Sequence, residues 1–437
     1  MPEIVAIKPV DHPVVGTISP PGSKSLTNRA LICAALADGR STLMGALDSD
    51  DTRVMIDSLI RLGLEVTTAD SGNIITVVGS GGRFHGDNID LFVGNSGTTI
   101  RFLTAMLSVG HGRFRLDGVS RMRERPIGDL IDALNQLGVR TYSELDNGCP
   151  PVVVDASGLA GGTARIAGAI SSQYLSGLLM AAPLASSAVR LLVEGTLVSQ
   201  TYVAMTLEVM RRFGIEIVTD DQFTTFELPG SQTYRACEVN IEPDASAASY
   251  FWAAAAVTQG RVTVHGLSAA SLQGDVAFVD CLEHMGCVVL RETNAITVEG
   301  PKHLRGIDVD MNTISDTAQT LAAVALFANS PTTIRGVGHN RHKETDRIGN
   351  LAIELRKLGA EVDEFDDGFT VIPGPPRAAR IVTYDDHRMA MSLALAGLRI
   401  SGTEIEDPAC TAKTYPNFWT DLDRLVHNST GQVSSAS

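Results

Sequence analysis

Pro20-Pro21-Gly22-Ser23-Lys24-Ser25-Leu26-Thr27-Asn28-Arg29-Ala30 decides how the rest of this chain is read. Two prolines and a glycine end an extended segment, and hydroxyl and amide residues lead into the apolar run from Ala30 to Ala37. That is a helix start, where the first backbone N–H groups lack partners and small polar side chains cap them. Lys24 and Arg29 set two cations beside those donors, which suits an anion. By itself, such a start is better read as a capped helix whose charges face water. Its recurrence along the chain changes the odds.

Five segments share a pattern of β-like run, polar turn, amphipathic helix, glycine and second β-like run: Ser41 to Thr68, Arg113 to Tyr142, Val189 to Val218, Arg261 to Leu290 and Thr332 to Val362. Their helices end at Gly63, Gly138, Gly214, Gly286 and Gly359, the place where glycine caps a helix. Between them lie further polar starts to small-residue helices. These are Asn95-Ser96-Gly97-Thr98-Thr99, Ser171-Ser172-Gln173, Asp244-Ala245-Ser246, Ser315-Asp316-Thr317 and Asp385-Asp386-His387-Arg388. With the opening stretch they make six repeats. The sixth lacks strands after its Trp419 to Leu425 helix, and two β-like runs, Ile4 to Ile7 and Val14 to Ile18, precede the first helix. The simplest repair lets both N-terminal strands complete the sixth repeat. Three repeats then form a domain at 22–241, and three form a second at 1–21 plus 242–430, with a disordered tail at 431–437. The crossings fall at Pro20-Pro21-Gly22 and near Glu242-Pro243.

A chain of 437 residues suits two domains of about 200 residues. Its 44% apolar and 19% charged content is that of a folded globular protein. A net charge of -15 without a basic run argues against nucleic acid or an anionic membrane as partner. Any anionic ligand must be held by local cations working against that field. Six cysteines, at 33, 149, 237, 281, 287 and 410, form no CxxC pair and read as reduced thiols of a cytosolic protein. Met1-Pro2-Glu3 does not open a signal peptide.

The stretch His339-Asn340-Arg341-His342-Lys343-Glu344-Thr345-Asp346-Arg347 is the densest in ionisable residues. Lys343 and Arg347, four apart, are expected on one helical face with Glu344 beside them. His339 and His342 have no supporting ligand cluster, so no metal is expected. Gly22-Ser23-Lys24-Ser25 lacks the glycines of a phosphate-binding P-loop, and no GxSxG, HExxH or Rossmann fingerprint occurs.

Taken together, Pro21-Gly22-Ser23-Lys24-Ser25, Gly94-Asn95-Ser96-Gly97-Thr98, Glu124-Arg125-Pro126-Ile127-Gly128, Ser171-Ser172-Gln173, Lys343-Glu344-Thr345-Asp346-Arg347, Asp386-His387-Arg388-Met389-Ala390 and Ala412-Lys413-Thr414 resemble the 5-enolpyruvylshikimate-3-phosphate synthase family, in its order and over nearly the whole chain. The resemblance implies an enolpyruvyl transferase-like α/β fold of two inside-out domains, each of three βαβαββ repeats, closing on the substrates. It implies transfer of the enolpyruvyl group of phosphoenolpyruvate to the 5-hydroxyl of shikimate 3-phosphate, with release of phosphate, by a cytoplasmic monomer without cofactor or metal. Its partners are then these small molecules alone.

Residue by residue, the resemblance assigns Lys24, Ser25, Arg29, Ser171, Ser172, Gln173, Ser199, Asp316, His339 and Lys343 to shikimate 3-phosphate. It assigns Lys24, Gly97, Arg125, Gln173, Arg347, Arg388 and Lys413 to phosphoenolpyruvate. Glu344 matches the proton donor to the methylene carbon, Asp316 the acceptor of the hydroxyl proton, and Lys24 a group that stabilises charge or shuttles a proton. Phosphates and carboxylates on both ligands account for so many cations in an acidic chain.

Two positions depart from the pattern: His339 stands where Asn is common, with Asn340 next to it, and Phe102 replaces a usual Pro. The rivals are a UDP-N-acetylglucosamine enolpyruvyl transferase and a non-catalytic repeat protein binding a nucleotide or RNA end. The first carries a reactive cysteine in the loop that here reads Gly118-Val119-Ser120-Arg121-Met122-Arg123-Glu124; the second suits neither the charge nor the sparse aromatic residues.

Overall fold

The computed structural model describes residues 3–432. Each of the six polar starts leads into a helix: Lys24–Leu36, Gly97–Leu107, Ser172–Ala181, Ala245–Thr258, Ala318–Ala325 and His387–Gly397. These helices are rich in Ala, Leu, Ser and Thr and are buried nearly all round. A helix without a polar face must be covered on every side. The chain divides into two compact units, Gly22–Ile241 and Met1–Pro21 with Glu242–Ser437, and each contains three of these helices packed on one another. Ser23, Ser96, Ser171, Asp244 and Asp386 cap their helices with a side-chain oxygen. Gly22 is dictated by a close approach, because a Cβ there would run into the Gly45 carbonyl.

Sheets enclose each helix trio. In the Gly22–Ile241 unit, strand His85–Phe92 runs parallel to His111–Asp117, with the Gly97 helix between them in sequence. The antiparallel strands Val152–Ser157 and Arg140–Ser143 complete the sheet. Gly162–Ala167, Val189–Glu194, Thr225–Leu228 and Val218–Thr219 repeat that order. The outer helices, such as Asp50–Arg61 and Gly349–Lys357, bury one face only. Five of them end at Gly63, Gly138, Gly214, Gly286 and Gly359, with φ between +81° and +106°, where a side chain is disfavoured. Helices inside and sheets outside, three βαβαββ repeats to a unit with the last one a strand short, is the inside-out α/β architecture.

Three expectations need correction. The N-terminal strands do not stay together. Ile4–Ala6 pairs antiparallel with Glu404–Glu406 in the sixth sheet, but Val15–Ile18 pairs parallel with Arg261–His265 in the fourth. Correspondingly, Glu238–Asn240 pairs with Asp38–Met44 and closes the first sheet. Each crossing thus separates an edge strand from the helix that follows it, so the first and fourth sheets are completed by strands distant in sequence. The sixth sheet keeps three strands where the other five have four. Secondly, Lys343 and Arg347 are not on a helix. They lie in an irregular turn between the short 3₁₀ segment Gly338–His342 and the helix Gly349–Lys357. Thirdly, the last helix runs from Phe418 to Gln432, beyond the expected start of the tail; residues 433–437 lie outside the described residues.

Candidate active site

In the Gly22–Ile241 unit most of the assigned residues lie at or within a turn of the starts of its three inner helices, with Arg125 and Ser199 on other segments. Lys24 and Ser25 form the first turn of their helix, and the Lys24 Nζ lies 3.7 Å from Asp51 on the neighbouring outer helix. Arg29, one turn on, is only 1% exposed. Its Nε donates to Thr206 Oγ1 at 2.7 Å, Nη1 to the Ser25 carbonyl at 3.0 Å and Nη2 to the Tyr202 carbonyl at 3.2 Å. Its guanidinium also lies 5.2 Å from the Phe102 ring centroid. Burial pulls the Arg29 pKa down to about 10, still charged at neutral pH. Phe102 is therefore part of the packing around a cation, within an uninterrupted Gly97–Leu107 helix.

Gly97 begins that helix, and Arg125 reaches over it from the end of a 3₁₀ turn at Met122–Glu124. Arg125 Nη1 donates to the Asn95 carbonyl at 3.0 Å and to Asn95 Oδ1 at 3.2 Å. A Cβ on Gly97 would collide with the Arg125 guanidinium, so the bare backbone makes room for it. Ser171 caps the third helix by accepting from the Gln173 N–H, and Ser172 is buried in its first turn. The Gln173 side chain is fixed at both ends: Oε1 accepts from Arg101 Nη1 at 2.5 Å and Nε2 donates to Thr98 Oγ1 at 3.1 Å. Ser199 sits at φ +53°, a conformation that costs a non-glycine residue energy, directly before the helix Gln200–Arg212.

In the other unit the assigned residues form one charged web. Arg347, 3% exposed, donates Nε to Asp386 at 2.7 Å, Nη2 to Glu344 at 2.9 Å and Nη1 to Asp316 at 3.3 Å. Arg388 Nη2 donates to Asp316 Oδ2 at 2.8 Å. Lys413 lies 3.5 Å from Glu344, and Lys343 4.0 Å from Asp316. Asp386 also caps the His387 helix by accepting from the Arg388 backbone N–H at 2.9 Å, so one carboxylate both holds the Arg347 side chain and fixes the helix start that carries Arg388. Burial opposes the charge on Arg347, but Asp386, Glu344 and Asp316 outweigh it and raise its pKa.

His339 and Asn340 both serve the 3₁₀ segment Asn312–Thr317 that carries Asp316. His339 Nε2 is 2.9 Å from Ser315 Oγ, and Asn340 Nδ2 donates to the Ser315 carbonyl at 2.9 Å. Burial, then the nearby Lys343 charge, pushes the His339 pKa down to about 3, so the ring is neutral in any working buffer.

Sequence reasoning overlooked three groups here. Asp386 stood in a quoted motif, and its helix-capping position was the available signal. Arg101, which holds Gln173, and Asp275, which binds Ser246 at the start of the Ala245 helix, had no local signal, since their partners lie 72 and 29 residues away.

The inside-out architecture is shared with known enolpyruvyl transferases. The chain superposes on an EPSP synthase from Acinetobacter baumannii with a TM-score of 0.81 at 24% identity, covering 97% of this chain and 98% of that one. It also superposes on an enolpyruvyl transferase from Streptomyces tendae with a TM-score of 0.78 at 20% identity and the same coverage. The sequence narrows the class. The 3-phosphoshikimate 1-carboxyvinyltransferase of Trichormus variabilis is 48% identical over 97% of this chain and 99% of its own length. The chloroplastic enzyme of that name from Arabidopsis thaliana is 47% identical over 97% of this chain and 84% of its own. The family model of EPSP synthase (3-phosphoshikimate 1-carboxyvinyltransferase) matches residues 10–422, and the chain belongs to that family.

Proposed function

We propose that this protein is the 3-phosphoshikimate 1-carboxyvinyltransferase of its organism, moving the enolpyruvyl group of phosphoenolpyruvate to the 5-hydroxyl of shikimate 3-phosphate and releasing phosphate in the shikimate pathway. The observation that carries this is the pair of carboxylates, Glu344 and Asp316, joined through one buried arginine and set among Lys343, Arg388 and Lys413. The reaction needs one group to give a proton to the methylene carbon and another to take one from the hydroxyl. Glu344 is assigned the first role and Asp316 the second. The new C–O bond forms as the methylene gains its proton; the phosphate then leaves as that carbon returns a proton and the double bond is restored.

Lys343, with Lys24, Ser25, Arg29, Ser171, Ser172, Gln173, Ser199 and Asp316, is assigned to shikimate 3-phosphate. Arg125, Arg347, Arg388 and Lys413, with Lys24, Gly97 and Gln173, are assigned to the enolpyruvyl donor, whose phosphate and carboxylate suit charge-assisted bonds. His339 is assigned to holding the Asp316 segment. Lys24 stabilises charge that develops on the donor or shuttles its proton. The herbicide glyphosate, an anion resembling phosphoenolpyruvate, is taken to share the donor's place beside Gly97. A cytoplasmic monomer completes the proposal, and the six unbridged cysteines are consistent with a reducing compartment.

Phosphate release tests the assignment. The purified protein is mixed with phosphoenolpyruvate and either shikimate 3-phosphate, UDP-N-acetylglucosamine or no acceptor. Release with shikimate 3-phosphate alone is expected; release with the UDP-sugar, or with neither, overturns it.

A further inference from the structure

Asp275 is a carboxylate that the reaction above leaves without a task. It lies in a 3₁₀ turn, Gly274–Ala277, which packs against both the segment carrying Asp316 and the start of the Ala245 helix. Gln273 anchors this turn, its Oε1 accepting from the Ala245 N–H at 3.0 Å. Asp275 is only 3% exposed, and its Oδ2 accepts a hydrogen bond from the Ser246 hydroxyl. The Ser246 oxygen in turn lies 3.4 Å from Arg388 Nη2, the nitrogen that donates to Asp316. A hydroxyl has one hydrogen and two lone pairs. With its hydrogen committed to Asp275, Ser246 presents a lone pair to Arg388.

We propose that Asp275 is a positioning residue for the enolpyruvyl donor: it orients the Ser246 hydroxyl so that Ser246 holds the Arg388 guanidinium in register with Asp316. The proposal rests on the assignment of Arg388 to the donor. Keeping a carboxylate in this place is costly. Burial, and then the negative charge of Asp316, raise the Asp275 pKa to about 6, with Asp244 adding to the rise and Arg388 and the Ser246 hydrogen bond opposing it. A group serving packing alone would be replaced at little loss by an apolar one of similar size, whereas a hydroxyl that must face one way needs an acceptor.

The test compares Ser246→Ala, Ser246→Thr, Asp275→Ala and the double alanine variant with wild type, measuring phosphate release against each substrate, with circular dichroism and melting temperature as folding checks. The expected result is a five- to thirtyfold rise in KM for phosphoenolpyruvate in Ser246→Ala and Asp275→Ala, with the KM for shikimate 3-phosphate within about twofold of wild type. Ser246→Thr should recover most of the loss, and the double variant should be no worse than the poorer single one, since both residues act through one contact. An unchanged donor KM in folded Ser246→Ala overturns the proposal, as do equal losses for both substrates or additive effects in the double variant. A wild type that releases no phosphate defeats the functional assignment instead. Should Asp275→Ala fail to fold, Ser246→Ala against Ser246→Thr decides.

Discussion

Arg29 in the Gly22–Ile241 unit and Arg347 in the other are both almost completely buried, yet their pKa values move in opposite directions. Arg29 donates to hydroxyls and carbonyls and stacks near an aromatic ring, neutral partners that offset only part of the loss of water around its charge. Arg101 is held similarly, by an amide oxygen, a carbonyl and the Tyr174 ring. Arg347 faces three carboxylates that more than compensate for burial. The difference suggests a division of labour. A cation among neutral dipoles keeps its positive potential for an incoming anion, with no carboxylate to displace. A cation among carboxylates holds those carboxylates in place, as the proton transfer proposed for Glu344 and Asp316 requires.

The largest effect expected of this division is on turnover. Glu344→Gln keeps the shape of the side chain and its contact with Arg347 but cannot deliver a proton. Phosphate release should fall by about 10²–10⁴-fold, while shikimate 3-phosphate still binds in a calorimetric titration. A variant retaining a tenth of the wild-type rate would remove Glu344 from the chemistry.

Next comes stability, where the two arginines should part. Arg347→Met leaves Asp386, Glu344 and Asp316 buried without their shared cation and should cost ~3–5 kcal/mol. Arg29→Met strands only hydroxyl and carbonyl acceptors, so it should cost less, ~1–3 kcal/mol, and abolish more acceptor binding than donor binding. Urea unfolding of both variants makes the comparison. Equal losses would show that the partners of the two cations do not matter.

Affinity for the donor follows. Arg125→Ala should lose ~1.5–3 kcal/mol, roughly ten- to a hundredfold, for phosphoenolpyruvate and less for shikimate 3-phosphate. Gly97→Ala acts on the same group more gently, because its methyl pushes the Arg125 guanidinium aside without removing it. Glyphosate inhibition should weaken more than phosphoenolpyruvate binding, and unchanged inhibition would detach Gly97 from that site.

The smallest expected effect is pH dependence from His339. Its folded pKa of about 3 lies below the ordinary 6.5, so between those values the unfolded chain binds a proton that the folded chain does not. The stability contributed by the neutral ring is complete above pH 6.5 and is lost as pH falls toward 3. His339→Asn should flatten the fall in melting temperature over that window and leave the pH profile of turnover near neutrality unchanged.

Much of the fold was legible along the chain. The six polar helix starts, their small-residue bodies and the five capping glycines are local features, because capping, left-handed φ and all-round burial depend on a few adjacent residues. The motifs holding Lys24, Arg125, Glu344, Arg388 and Lys413 were legible as short contiguous runs that together resemble one family, and not from any one of them alone. The strand exchange was not. Val15–Ile18 and Glu238–Asn240 carry ordinary edge-strand patterns, and nothing in such a pattern names its partner. Local spacing also misled at Lys343 and Arg347, which suit one face of a helix but reach Asp316 from an irregular turn.

By itself, then, the sequence determined where the six inner helices begin and where five outer helices end, that six repeats alternate buried with half-buried helices, and which charged residues could meet an anion. Only the tertiary structure decided which strands close the first and fourth sheets and which groups face each buried cation. It also brought Asp275 within reach of Arg388 through Ser246. The physical reason is range. Capping and backbone conformation are settled within one helical turn, whereas the desolvation of a charge depends on every element packed around it, and those elements come from distant parts of the chain.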